Sequence, residues 1–475
     1  MELESIRCNG INGSTGDYLL PTLSAHEISA IARGDPLDFK QAAELKHRWQ
    51  CISQASFAPM ESIDAKNLAD CGWGAIFANG ADLEIRNALA PLLDHRKKQA
   101  TQTNERFYHE FTGPKSYRPG ETKQQFLARL GAGPGPADPN KVPYYLLLVG
   151  DPEEIPYRFQ FQLDVQYAVG RIHFDHLEDY ANYARSVVNA ETGKCLLPRR
   201  VTFFGVRNSG DQATQLSADH LITPLAERIA ARQADWAIKS ILNEDATKAR
   251  LDLLLRGEDL PALLFCAGHG MGFSQGDPRQ LPHQGALLCQ DWPGPLRWRK
   301  PIPPDFYFAA DDVSSDANIH GTIAFFFACY GAGTPMMDEF SQQAMKPRAT
   351  VAPHSFLARL PQRLLAHPKG GALAVVGHVD RAWGYSFVWN RAGEQLGVFE
   401  SALNRLLNGH PIGSATEYFN QRYAELASDL SMELEEISFG KSPDDVELAG
   451  MWTANNDARN YVIIGDPAVR CCVSA

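Results

Sequence analysis

The sequence predicts an α/β fold. A mostly parallel central sheet is covered by helices on both faces in a three-layer sandwich, preceded by a second, related α/β unit. Three observations predict it. First, Leu263-Leu264-Phe265-Cys266-Ala267 and Thr322-Ile323-Ala324-Phe325-Phe326-Phe327-Ala328 are apolar without alternation, as suits strands covered on both faces. Second, from Pro198 onward strand-like and helix-like stretches alternate. Third, an apolar strand runs into Gly-Asp-Pro twice, at 144–152 and 461–467. That repetition suggests two related units, although Gly-Asp-Pro is in itself a good strand-ending turn. The expected division is residues 1–195 and 196–475.

Residues 1 to about 60 carry Gly10, Gly13, Gly16 and Pro21 and read as loop, apart from a helix over 24–33 with Ser24 as N-cap and Glu27 as its capping-box partner. The spacing predicts a strand over 72–79 and a helix over 82–99, whose basic last turn, Arg96-Lys97-Lys98, complements the helix dipole. A Gly- and Pro-rich connector spans 132–143, and a strand follows at 144–149. Later strands are expected at 201–206, 237–242, 263–267, 322–328, 372–376 and 461–464. Helices between them are expected at 218–233, 246–255, 356–367, 391–407 and 414–427. The interval 270–320, rich in Pro, Gly and Trp, is too long for a plain connector and is expected to wall a site. A second long loop, 334–353, follows Cys329.

At 475 residues, 44% hydrophobic and 21% charged, the chain has room for two or three packed units. Its net charge of −11 argues against a general nucleic-acid binder, which needs Lys and Arg to neutralise phosphates. An acidic surface could attract basic peptides. The nine cysteines are odd in number and scattered, with no CxxC pair, and Cys471-Cys472 are too close for an ordinary disulfide. Reduced thiols and a cytoplasmic location are therefore expected. The N-terminus, Met1-Glu2-Leu3-Glu4, does not read as a signal peptide, and no run approaches the ~20 apolar residues of a membrane span. No Walker A loop, His-Glu-x-x-His helix or ligand cluster is present, so no metal or cofactor is expected.

The chemistry gathers where two of the apolar strands end. One ends in His269-Gly270, the other in Cys329 with Gly331 and Gly333 close behind. A free thiol is mostly protonated at neutral pH, and an imidazole or a helix N-terminus favours the thiolate. Residues 330–333 are expected to open the next helix or turn. The small residues let backbone N–H groups approach a carbonyl, which makes the Gly270 and Cys329 amides the candidate oxyanion hole. His269 would act as base and then acid. Singly, a cysteine ending an apolar strand is more often inert packing, and a lone His-Gly is weaker still; the two together, 60 residues apart, carry more. His378 is the reserve base. Cys266 reads as core, and His283, Cys289 and His320 have no clear frame. Gly272-Phe273-Ser274-Gln275-Gly276 matches a hydrolase pattern but lacks the flanking strand and helix that its serine needs.

Ala267-Gly268-His269-Gly270 and Phe327-Ala328-Cys329-Tyr330-Gly331 resemble the His-Gly and Ala-Cys blocks of caspase-like cysteine peptidases, clan CD. That superfamily includes gingipains, metacaspases, separases and bacterial CHAT proteases. The gingipain branch is the most similar. Leu148-Val149-Gly150-Asp151, Ile155-Pro156, Asp164, Tyr167-Ala168 and Val169-Gly170-Arg171-Ile172 resemble its first subdomain, and Ile464-Gly465-Asp466-Pro467 resembles its closing block. The resemblance covers roughly residues 144–469.

It implies a caspase-like fold and peptide-bond cleavage through an acyl-enzyme on Cys329, with His269 as partner and no cofactor. It also implies an S1 pocket built by the loops 207–211 and 378–383. An acidic floor would favour Arg or Lys at P1. Asp211 is expected there, Asp380 second, with Trp383 as a wall. On the plainer reading Asp211 caps a turn and Arg381 neutralises Asp380. Arg207 facing the pocket would instead favour an acidic P1. Lys346 and Arg348 form a candidate processing site. The implied partners are a protein substrate and an activating protease or regulator, in bacterial signalling or defence, with no nucleic acid and no membrane. The rival readings are a non-catalytic scaffold and a thiol-dependent acyl hydrolase or transferase with a non-peptide substrate.

Overall fold

The computed structural model describes residues 63–257, 259–340, 349–389 and 392–474. The expected helix over 24–33 and the candidate processing site at Lys346 and Arg348 lie outside the described residues. Ten strands form one sheet, numbered here in chain order: β1 Trp73–Phe77, β2 Tyr108–Phe111, β3 Tyr145–Val149, β4 Ala168–Ile172, β5 Arg200–Gly205, β6 Ala237–Leu242, β7 Leu263–Ala267, β8 Ile323–Phe327, β9 Ala374–His378 and β10 Tyr461–Gly465. Their order is β2-β1-β3-β4-β10-β9-β8-β7-β5-β6.

Every pairing is parallel except β9 with β10. The last strand inserts between the two halves, parallel to β4 and antiparallel to β9. The carboxyl ends of β1–β4 and β10 thus lie at one edge of the sheet, and those of β5–β9 at the other. The sheet is continuous across residue 195, with four strands before it and six after it.

β7, β8 and β9 are buried along their whole length, which is why their sequences do not alternate. On one face Phe265 and Phe325 stack at 4.7 Å. Phe399 and Phe419, from helices Gly397–Leu407 and Glu417–Ser438, close over them. On the other face Leu264 and Phe326 line a small cavity with Leu251, Leu255, Leu360 and Leu364. At roughly 1.5–3 kcal/mol per fully buried large apolar side chain, this double layer holds the centre of the sheet.

Proline alters two expected helices, since it lacks the N–H for an i→i−4 bond. The segment 82–99 becomes Leu83–Ala88 and Ala90–Ala100, interrupted ahead of Pro91. The segment 218–233 becomes a wider turn over Ala218–Ile222 ahead of Pro224, then Thr223–Arg232. The sequence reading does not predict helices Tyr157–Asp164, Leu177–Glu191 and Asp445–Arg459. Leu177–Glu191 buries a face of Tyr180, Tyr183, Ala184, Val187 and Ala190.

The two Gly-Asp-Pro turns have different surroundings. Asp466 is fully buried. It accepts Arg96 Nε at 2.6 Å and Trp73 Nε1 at 3.0 Å. Arg96, also buried, makes two bonds of 2.7 Å to Glu191. Burial alone would push the Glu191 carboxyl up, yet Arg96 and His95 hold it down at about 2. Asp151, by contrast, is only partly buried. Replacing Arg96 by leucine strands two buried carboxylates, so Arg96→Leu is expected to lower stability by about 3–5 kcal/mol. Urea unfolding at pH 7 measures it; a loss below about 1 kcal/mol would contradict the role given to this cluster.

Candidate active site

The register of β7 on β8 sets the site. Ala267 lies opposite Phe327, so His269 and Cys329 each stand two residues past the same pair, at the same edge of the sheet. The Gly268 N–H donates to the Phe327 carbonyl at 3.2 Å, which extends the pairing toward the two residues. A side chain at Gly270 would put its Cβ 1.8 Å from the Cys329 carbonyl oxygen, so only glycine fits. Among the described residues the Gly270 and Cys329 amides donate to no carbonyl. No hydrogen bond joins His269 to Cys329; their proximity comes from the strands, as is common before substrate binds.

Cys329 sits at a sharp turn, because Tyr330 has φ +58°, a left-handed conformation that costs a side-chain-bearing residue roughly 1 kcal/mol or more. The Tyr330 N–H donates to the Asp380 carbonyl at 2.8 Å and holds it there. No helix follows; the chain enters a two-residue strand, Gly333–Thr334. The alternative of a helix N-terminus at Cys329 is thus corrected to a turn. The sulfur instead accepts the Ala382 N–H at 3.3 Å. Burial pushes the thiol above its usual value, and the Ala382 N–H only partly opposes this.

His269 Nε2 lies 2.8 Å from Asp211 Oδ2, and the imidazole meets the Trp292 ring edge-on at 6.1 Å. With the ring neutral, Nε2 donates to Asp211 and Nδ1 remains the basic nitrogen. Asp211 also caps helix Gln212–Ser217, accepting the Thr214 N–H at 3.3 Å and its hydroxyl at 2.6 Å. Partial burial pushes its carboxyl up, but bonds from His269 and Thr214 outweigh that and hold it at about 2. Asn208, fully buried, ties this loop to the long 270–320 segment by donating to the Trp292 carbonyl at 2.9 Å.

The second loop carries Asp380, Ala382 and Trp383. Asp380 is 3% exposed. Burial pushes its carboxyl up to about 6 against the opposing charge of Arg381. Arg381 donates its own N–H to Asp380 at 2.8 Å and forks onto Asp338 at 2.9 and 3.0 Å. Trp383 stacks on Phe340 at 4.9 Å, and its N–H donates to Asp457 Oδ1 at 2.9 Å.

The remaining candidates are paired elsewhere or buried. Arg207 pairs with Asp219 at 3.1 Å. His378 is fully buried against Tyr461, 4.0 Å between rings, and lies 3.3 Å from Asp457, so the reserve base does not border the site. Cys266 is core, and burial pushes its thiol far up. Ser274 lies outside any helix or strand. No group of three or more His, Cys, Asp or Glu side chains among the described residues could hold a metal.

Sequence reasoning missed the partnership of Asp211 with His269, and it missed Asp457. The latter is fully buried on helix Asp445–Arg459 and holds the Trp383 amide and the Ser386 hydroxyl. No local motif marks either one, since both partners are distant in sequence.

Asp380 gives a pH-dependent expectation. Its folded value, about 6, lies above the ordinary ~3.9 of an unfolded chain. The folded state therefore binds its proton more tightly. The group favours folding below about pH 4 and works against it as pH rises through 6. Asp380→Asn is expected to stabilise the protein at pH 8 by up to about 3 kcal/mol and to change little at pH 4. Thermal melts at both values test this; equal or lower stability of the variant at pH 8 would contradict it.

A family model, peptidase family C25, matches residues 76–472. No curated protein matches the chain. Among solved structures, the Arg-specific cysteine proteinase gingipain R (RGPB) aligns with a TM-score of 0.50 and 13% identity, covering 87% of this chain and 80% of that one. The complex of Porphyromonas gingivalis RgpB pro- and mature domains aligns with a TM-score of 0.48 and 11% identity, covering 84% and 80%. At 13% identity the likeness to gingipain R concerns the fold: a large, mostly parallel sheet between helices, arranged as in caspase-like proteins. The match to residues 76–472 spans most of the 475-residue chain, and the chain belongs to peptidase family C25, the gingipain family of clan CD cysteine peptidases.

Proposed function

We propose that the chain is an endopeptidase in which Cys329 is the nucleophile, His269 the general base and acid, and Asp211 the residue that orients His269. The observation that supports this best is the register of β7 on β8, which sets His269 and Cys329 side by side, joined to the 2.8 Å contact of His269 with Asp211. The substrate carbonyl enters over Gly270. His269 Nδ1 takes the thiol proton as sulfur bonds to the carbonyl carbon. The Gly270 and Cys329 amides receive the oxyanion. His269 then protonates the leaving amine, and a thioester on Cys329 remains. Water, deprotonated by His269, attacks the thioester; the acid product leaves and the thiol is restored.

A basic P1 residue suits the charges around the sulfur. Asp380 and Asp457 act on it and outnumber Arg381, which is already paired, and Arg207 is held by Asp219. Asp211 Oδ2 is taken by His269 and Thr214, so Asp380 and the summed acidic field have a larger share in selecting the cation than Asp211 alone. The Trp383–Phe340 pair supplies an aromatic wall. The Arg specificity in gingipain R's name agrees with this reading. A cytoplasmic setting and control by cleavage near Arg348 belong to the same proposal; the seven described cysteines are all free.

Cys329→Ala is expected to abolish hydrolysis of peptides with Arg or Lys at P1, a loss of 10³-fold or more; unchanged turnover would contradict the assignment. Asp211→Asn offers His269 the wrong hydrogen-bond partner. It is expected to lower kcat by roughly 10²-fold or more, to leave KM nearly unchanged and to shift the acidic limb of the pH profile. A change confined to KM would place Asp211 in the substrate pocket instead. In fluorogenic peptides kcat/KM for Arg is expected to exceed that for Asp at P1 by ~10²-fold; a preference for Asp would overturn the charge argument.

A further inference from the structure

Beside the catalytic histidine lies a surface that the proposed chemistry does not use. Residues 293–300 read Pro-Gly-Pro-Leu-Arg-Trp-Arg-Lys. Leu296 is 67% exposed, and Arg297, Arg299 and Lys300 are exposed. None of the three cations has an ion-pair partner among the described residues. Elsewhere on the chain, arginines such as Arg207, Arg279, Arg381 and Arg459 each hold a carboxylate. Asp291, just before the segment, is taken by the Lys248 N–H at 2.7 Å. In a chain of net charge −11, a cluster of three unpaired cations stands out.

The segment is held in place. The Arg297 and Trp298 amides donate to the Gly294 carbonyl at 3.2 and 3.0 Å. Trp298 Nε1 donates to the Pro301 carbonyl at 3.2 Å, its ring packs edge-on to Phe306 at 4.8 Å, and Lys300 Nζ sits 4.3 Å over it. Its other side is pressed against the loop that carries Asp211. Gly294 has φ +93°, and a Cβ there would fall 2.0 Å from the Ser209 carbonyl oxygen. A Cβ on Gly210 would meet Leu296 Cδ1 at 2.6 Å. Gly210 is the residue before Asp211, and Trp292 touches His269. The segment therefore packs on the loop that carries Asp211, the partner of His269.

We propose that residues 296–300 form a docking surface for an acidic, partly apolar stretch of the protein substrate that flanks the scissile bond. This deepens the peptidase reading and rests on it. Arg297, Arg299 and Lys300 would meet Asp or Glu side chains, while the exposed Leu296 would cover an apolar residue between them. Charge complementarity selects the partner, and continuity with the catalytic loop places it on the same chain as the bond to be cut. A polyanion such as nucleic acid is the less suited occupant, since the acidic remainder of the molecule would repel it beyond this small patch.

The test is read by binding, so it needs no turnover. Cys329→Ala protein is titrated into two fluorescein-labelled peptides, one with Glu-Leu-Glu-Phe-Glu and one with Gln in place of each Glu, at low and at 0.3 M salt. The expected result is binding of the Glu peptide at least about tenfold tighter at low salt, with the difference lost in high salt and lost in the triple variant Arg297→Glu, Arg299→Glu, Lys300→Glu. Equal affinity for both peptides would overturn the proposal, as would a preference that survives the triple variant. Tighter binding of a single-stranded oligonucleotide than of the Glu peptide would also overturn it. Failure of the wild-type protein to cleave any peptide would overturn the peptidase reading and leave this binding result standing.

Discussion

One constraint carries the site: the parallel pairing of β7 with β8. Two strands locked in register through five residue pairs cannot slip without moving every side chain to the opposite face. The two residues past each end are therefore fixed relative to one another before any side-chain contact forms. Phe265 stacked on Phe325, and the phenylalanines of two helices above them, make that slip costly. Gly270, packed against the Cys329 backbone, turns the strand register into contact at the point of chemistry.

Around that frame the side chains are set by loops braced from a distance. Asp211 caps a helix and holds His269 with the same carboxylate oxygen. Asn208 ties its loop to the wall at Trp292. Across the sulfur, Ala382 offers its N–H from a loop anchored by Asp457, which lies on a helix more than 70 residues downstream. A buried carboxylate with two backbone or hydroxyl donors is costly to remove and cheap to keep. Such anchors suit positions where an amide must be held within a few tenths of an ångström. The candidate site thus has a turn fixed at Cys329, an imidazole held by one carboxylate, and a sulfur that accepts a backbone amide.

Much of this was legible in the sequence because burial on both faces leaves a plain signal. The runs 263–267 and 322–328 became β7 and β8 within a residue, and His269 and Cys329 could be paired because each ended such a run. Helices whose buried faces are built of tyrosine, small or polar residues did not show themselves. Leu177–Glu191 packs on tyrosines and small residues, and Asp445–Arg459 buries Asn456 and Asp457. Contacts between residues distant in sequence were equally hidden. Asp211 could be seen as an acidic residue at a pocket or as a cap, but its partner lies 58 residues away. The helix considered after Cys329 failed for a local reason: Tyr330 takes a left-handed turn that no helix start permits.

The central claim is that Cys329 and His269 act on one proton at one edge of the sheet. Trapping with a peptidyl acyloxymethyl ketone bearing Arg or Lys at P1, read by intact mass and peptide mapping, tests it most directly. The account predicts a single adduct, on Cys329 and on none of the other eight cysteines, formed at least about 10²-fold more slowly in His269→Ala. An adduct on another cysteine, or an unchanged rate in that variant, would contradict it.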